Sequence, residues 1–324
     1  MSRKTRYAML TVDTEALPRR AAAEHVKRLI WGEHVGGTAG IREMCRIGDE
    51  FAAPHVFFVD VCAAQAYGGE MDEVIRWLDK AGHDVQLHAH PEYLPAEFWQ
   101  EHGFEYRPRF MNQFDLAKAE FTLRHFGKRI SDITGKPILA FRAGSFRWNA
   151  NTLRALEGLG IPLSFNNSMR ALEDGVCPHA EPTNSPFAWS NGVIEIPVTE
   201  RSTLPFSRRL GWQRASFPHS GRFFSAPWHA LHPFTWNGDD DFLVLLLHSW
   251  SLLYWDENDH AQYQDDRRIE SYRRLVRKLS RDYDIITSSE FLDLHARDKI
   301  KTPRRVDLAL TELRVPDSQG KIIW

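Results

Sequence analysis

The chain has 324 residues, 43% hydrophobic and 26% charged, enough to bury the core of one α/β barrel or two smaller units and too apolar for a disordered chain. Its formal net charge of −2 removes any global electrostatic reason to bind nucleic acid or an anionic membrane. Cys45, Cys62 and Cys177 lie far apart without CxxC spacing, which argues against a disulfide framework or a structural zinc site and for a reducing compartment.

The first apolar run, YAMLTV (7–12), is too short for a signal-peptide core, and no later run approaches the roughly 20 apolar residues of a spanning helix. The expectation is a cytoplasmic protein that is not an integral membrane protein. Further short, β-branched or aromatic runs follow at HVFFV (55–59), DVQLH (84–88), ILAFR (138–142), VIEIPV (193–198), FLVLLLH (242–248) and DIIT (284–287). They read as buried, mainly parallel strands.

Between them lie helical spacings: Ile41, Met44, Cys45 and Phe51; Met71, Val74, Ile75 and Leu78; Ile269, Tyr272, Leu275, Val276 and Leu279. Asn112 is a candidate helix cap, Gly135 to Pro137 end a long helix, and Gly160 ends the one carrying Leu153, Leu156 and Leu159. His83, just after Gly82, reads as solvated or as a neighbour of the site. This alternation predicts an α/β fold, a distorted (β/α) barrel of about seven parallel strands, whose chemistry belongs at the strands' C-terminal ends.

Residues 203–238 break the rhythm with aromatic residues interleaved among Arg and His, which reads as a long insertion, either a sugar-binding rim or a segment folded on its own aromatic cluster. The expected boundaries are a catalytic barrel over 1–296 and a C-terminal extension over 297–324, either a tail or a segment that wraps the surface.

Several runs end in chemistry-bearing residues: Asp13 and Glu15 after YAMLTV, His88, His90 and Glu92 around HAHPE, Arg142 after ILAF, and His248 after FLVLLL. Strand ends that repeatedly carry metal-ligand or acid/base residues assemble one site, read here as that of a metal-assisted hydrolase. The i, i+2 spacing of Asp13 and Glu15 puts both on one side of a continuing strand.

Taken in order, TVDTE, HVFFVDV, GHDVQLHAHPEY, FRAGSF, LLLHSWSLL and DIITSSEFLDL resemble the polysaccharide deacetylase family, the NodB-homology carbohydrate esterases, and within it the lipopolysaccharide-biosynthesis-like branch. The resemblance covers roughly residues 5–296. It implies a divalent metal, Zn2+ first with Co2+, Ni2+ or Mn2+ as alternatives, and removal of an N- or O-acetyl group from a sugar. It further implies Asp13 as base, Glu15 and His88 as metal ligands, Arg142 orienting Asp13, backbone N–H groups near Ser145 lining an oxyanion hole, and His248 as general acid.

The family pattern places a second histidine four residues after the first, where this chain has Glu92, with His90 two residues on. Either could complete the metal site. The implied partner is an acetylated sugar or glycan, nucleotide- or lipid-linked, from surface polysaccharide or lipopolysaccharide assembly. Two other readings stand beside it: a catalytically silent carbohydrate-binding protein, and a metal-dependent amidohydrolase acting on a non-sugar amide.

Overall fold

The computed structural model describes residues 6–202, 211–219 and 242–312. Most of the 203–238 insertion and the end of the C-terminal extension lie outside these residues.

Among the described residues a ten-stranded sheet carries the fold. Its strands are β1 (Tyr7–Thr14), β2 (His55–Asp60), β3 (Asp84–Ala89), β4 (Ala140–Ala143), β5 (Leu163–Ser164), β6 (Phe187–Trp189), β7 (Ile194–Glu195), β8 (Phe242–His248), β9 (Asp284–Ile285) and β10 (Arg305–Val306). The order is β8-β1-β2-β3-β4-β5-β7-β6-β10, with β9 also against β1. Every pairing is parallel except β6 with β7. The expected distorted α/β barrel is therefore present, with β5, β6 and β10 as short additions that sequence patterning did not single out.

Beyond β7 the chain turns back to β8. Thr199 N donates to Val244 O at 3.3 Å, and Val244 N donates to Thr199 Oγ1 at 2.8 Å, so this seam draws the curled sheet toward closure.

Alternation along each strand divides its side chains between two cores. Ala8, Leu10 and Val12 of β1, Phe57 and Val59 of β2, and Leu87 and Ala89 of β3 face the helical layer. Met9, Val56, Phe58, Ala140, Leu163, Ile194 and Val244 form a smaller interior cluster. Thr11 and Asp13 share parity with Met9, Asp60 with Phe58, Arg142 with Ala140, and His248 with Val244. Parity alone thus turns the strand-end polar residues toward the barrel interior.

Helices at Ile41–Glu50, Gly69–Lys80, Leu116–Thr134, Ala150–Gly158, Arg267–Asp282 and Ser288–Ala296 cover the sheet. The predicted stripes are buried in them, including Met44 and Ile41, Val74 and Leu78, and Tyr272 and Val276. The long helix is capped by Asp115, whose carboxylate accepts from Lys118 N at 2.8 Å. Asn112 is not the cap, because its Nδ2 instead donates to Val176 O at 2.8 Å across the loop. Gly135 ends this helix with φ 69°, a left-handed conformation that suits glycine.

His83 is neither solvated nor near the site. It is buried beside His55 and Phe57, behind the sheet, and among the described residues neither of its ring nitrogens has a partner. The C-terminal segment returns to the sheet, where Arg305 and Val306 pair with Ala188 and Trp189. Among the described residues no helix is long and apolar enough to cross a membrane.

Candidate functional site

Parallel pairing brings the ends of β1, β2, β3, β4 and β8 to one level. Asp13 is registered with His248, Asp60 with His88, and His88 with Arg142. Side chains separated by up to 235 positions therefore meet at one end of the barrel.

Glu15, His88 and His90 converge there and could hold a metal ion. Both His88 Nε2 and His90 Nε2 lie 2.9 Å from the same Glu15 oxygen, Oε1. The outward nitrogens are also engaged: His88 Nδ1 with Arg142 O at 2.7 Å, and His90 Nδ1 with Glu92 Oε1 at 2.8 Å. A carbonyl can only accept, so His88 carries its proton on Nδ1, leaving a lone pair on Nε2 when the ring is neutral. Two such nitrogens and a carboxylate form a borderline donor set for a divalent cation, with outer partners fixing ring orientation.

Glu92 stands one step removed, on the far side of His90 from Glu15. Burial pushes the Glu15 carboxyl up, but the imidazoles of His90 and His88 outweigh it and hold the acid well below its usual range. Burial likewise lowers His90, yet Glu92 and Glu15 raise it well above the ordinary imidazole value. His88 is also raised, as Asp13 and Glu15 overcome its burial. This cluster attracts positive charge, a proton when nothing else is bound.

Asp13 is held from the opposite wall. Arg142 Nη1 donates to Asp13 Oδ1 at 2.6 Å and Nη2 to Thr11 Oγ1 at 2.9 Å. Thr11 in turn donates to Leu245 O at 2.9 Å. The guanidinium is fully buried and lies 4.4 Å from the Phe58 ring centroid, a face that suits a cation.

His248 completes a second cluster: Asp13, Glu15 and His248 have ligand atoms all within 4.8 Å of one another. Its ring stacks on Trp250 at 5.0 Å and 16°. Burial holds His248 below the ordinary imidazole range, against the opposing pull of Glu15 and Asp13. Ser249 N donates to Asp13 O at 2.9 Å, tying the end of β8 to β1.

Two contributors were not assigned roles in the sequence. Asp60 accepts from His90 N and Cys62 N, both at 3.2 Å, and so fixes the backbone that carries His90. Its signal was the same as that of the other sites, a polar residue ending the apolar run HVFFV. Gly144 is the other: a Cβ there would lie 2.5 Å from His90 Nδ1 and 2.7 Å from Ala89 O. Only glycine lets the loop after β4 approach this closely. Ser145 follows with φ 53° and lines the cavity with its neighbour Phe146.

The cavity has a volume of about 740 Å³ and reaches from Asp13, Glu15 and His248 past Tyr93 to Arg147 and Phe110. That is room for a sugar and a substituent.

No protein-family model and no curated protein sequence matches the chain. Solved structures do match its fold. A Mycobacterium smegmatis protein assigned as a polysaccharide deacetylase superposes with a TM-score of 0.56 at 14% identity, over 93% of this chain and 94% of that one. A 4-alpha-glucanotransferase from Thermococcus litoralis gives 0.55 at 11% identity, over 97% of this chain but 42% of its own. The similarity is one of fold, and one fold hosts different sugar chemistries.

Proposed function

We propose that this chain is a metal-dependent hydrolase that removes an acetyl group, most simply an N-acetyl group, from a carbohydrate. The observation that carries the reading is the meeting of the Glu15, His88 and His90 cluster with an arginine-clamped Asp13 and a half-buried His248 in one cavity. The resemblance of the motifs and the shared fold support the same conclusion.

Glu15, His88 and His90 would hold the divalent metal, zinc first by donor chemistry, with Glu92 orienting His90. Such an ion supplies Lewis acidity, making water more acidic and stabilising negative charge on an acetyl oxygen. Asp13, positioned by Arg142, takes the proton of the attacking water. His248, protonated from solvent, delivers its proton to the departing amine while Asp13 returns its own to solvent, and burial, which lowers the His248 pKa, makes its imidazolium a better donor than an ordinary one. Asp13 and His248 lie close enough to act on the same tetrahedral centre.

The reading extends to a substrate from surface polysaccharide or lipopolysaccharide assembly, nucleotide- or lipid-linked, handled in the cytoplasm; these finer points rest on the motif resemblance. Acetate release from acetylated sugars, measured with and without chelator on protein of known metal content, tests the core of it. Stoichiometric metal and chelator-sensitive acetate release are expected. Intact, metal-loaded protein that releases no acetate from any sugar would overturn it.

A further inference from the structure

The cavity wall carries an unusual charge balance. Its carboxylates are all engaged: Asp13 with Arg142, Glu15 with His88 and His90, Glu92 with His90, and Asp174 with Arg170. Arg20, Arg109 and Arg147 line the same cavity, and among the described residues none of the three forms an ion pair. Glu15 and Asp259 act on Arg20, and Glu92 on Arg147, only at longer range.

These arginines are positioned, not loose. Arg147 lies over the Phe110 ring at 4.3 Å and Arg20 over the Trp255 ring at 4.6 Å. Arg109 donates to Tyr106 Oη at 2.8 Å. Each is half-buried, and Arg20 Nε is buried with no hydrogen-bond partner among the described residues. Half-buried guanidiniums without counter-ions have water or a ligand as the only source of acceptors for their remaining N–H groups. They sit on the segments that join β1 to β2, β3 to β4 and β4 to β5, and all three line one cavity. Planar guanidinium forks of this kind match the oxygens of phosphate or carboxylate.

We propose that the substrate is an anionic sugar, whose phosphate or carboxylate group is held by Arg20, Arg109 and Arg147 while its acetyl group lies against Asp13 and His248. This rests on the deacetylase reading, and it narrows the substrate to sugars bearing an oxyanion.

Calorimetric binding to the full-length, metal-loaded chain provides the test, with N-acetylglucosamine, its 1-phosphate and N-acetylmuramic acid as probes, and acetate release followed in parallel. An anionic sugar is expected to bind at least about tenfold tighter than the neutral one, and Arg20→Gln or Arg147→Gln to lose about tenfold of that preference. Whichever anionic probe gains more identifies phosphate or carboxylate as the group held. Equal affinity for all three sugars, no binding of any, or a preference that survives the combined Arg20→Gln, Arg109→Gln and Arg147→Gln variant with native circular dichroism would overturn the proposal. Acetate release without anion preference overturns the anion site and leaves the deacetylase standing. Anion preference without acetate release supports the anion site and sinks the deacetylase.

Discussion

Arg142 and Asp13 are 129 positions apart, yet the guanidinium Nη1 donates to the carboxylate Oδ1 over 2.6 Å with both side chains almost wholly removed from solvent. Removing one member of such a pair leaves the other charge buried alone. Arg142→Met should therefore cost about 3–5 kcal/mol of folding stability. Adding Asp13→Asn should recover part of that loss, since neither charge is then stranded. Urea denaturation of the two singles and the double reads the coupling, and strictly additive costs would mean the pair does not act as one unit.

Metal affinity separates the members of the His90 and Glu92 pair. Glu15→Ala, His88→Ala and His90→Ala should each abolish tight binding of zinc or cobalt. Glu92→Gln should weaken it by only about 10–100-fold, the usual effect of losing a partner that orients a ligand. Equilibrium dialysis on folded variants checks this, and a reversed ranking of His90 and Glu92 would mean that the carboxylate is the direct ligand.

Gly144 makes a sharper geometric test. An added Cβ meets both the His90 ring and the Ala89 carbonyl, and the backbone oxygen cannot swing away. Gly144→Ala should displace His90 and lower metal affinity while the fold survives. An unchanged dissociation constant would show that the loop yields instead.

For His248 the leaving group is the lever. His248→Ala should reduce turnover of an acetamido sugar by about 10²–10⁴-fold, because an amine leaves poorly without a proton. An aryl acetate, whose phenolate leaves unaided, should lose less than about tenfold. Equal losses on both substrates would assign His248 to positioning and not to proton donation.

Away from the site, His55 should govern acid stability. It is fully buried, its Nε2 lies 2.6 Å from Tyr272 Oη, and burial together with His83 pulls its pKa down from 6.5 to about 3. Below pH 6.5 the unfolded chain takes up a proton that the folded chain refuses until about pH 3. The contribution is thus complete above pH 6.5 and is lost as pH falls toward 3, at most roughly 1.4 kcal/mol per unit. Denaturation midpoints at pH 7, 5.5 and 4.5 should fall in that order. His55→Phe should flatten the slope, and identical slopes would exclude His55 as its source.

What the linear sequence determined was local and periodic. The apolar runs ending at Asp13, His88, Arg142 and His248 set strand identity, and period-two alternation then set the inward face of each terminal residue, so fold class and the residues meeting at the site were legible before any contact was known. Helix stripes such as Met71, Val74, Ile75 and Leu78 were legible for the same reason. Short β5 and β10 were not, because two residues carry no period.

Tertiary structure alone decided relations that depend on register and approach distance. Parallel pairing levelled Asp13 with His248 and His88 with Arg142. Whether His90 or Glu92 faces Glu15 turned on the backbone after β3, which Asp60 grips from β2 and Gly144 crowds from β4. Likewise, nothing in the spacing of Arg20, Arg109 and Arg147 revealed that three separate loops aim them into one cavity. Alternation along a strand is written in neighbouring residues, whereas the meeting of distant loops is settled only when the whole sheet curls.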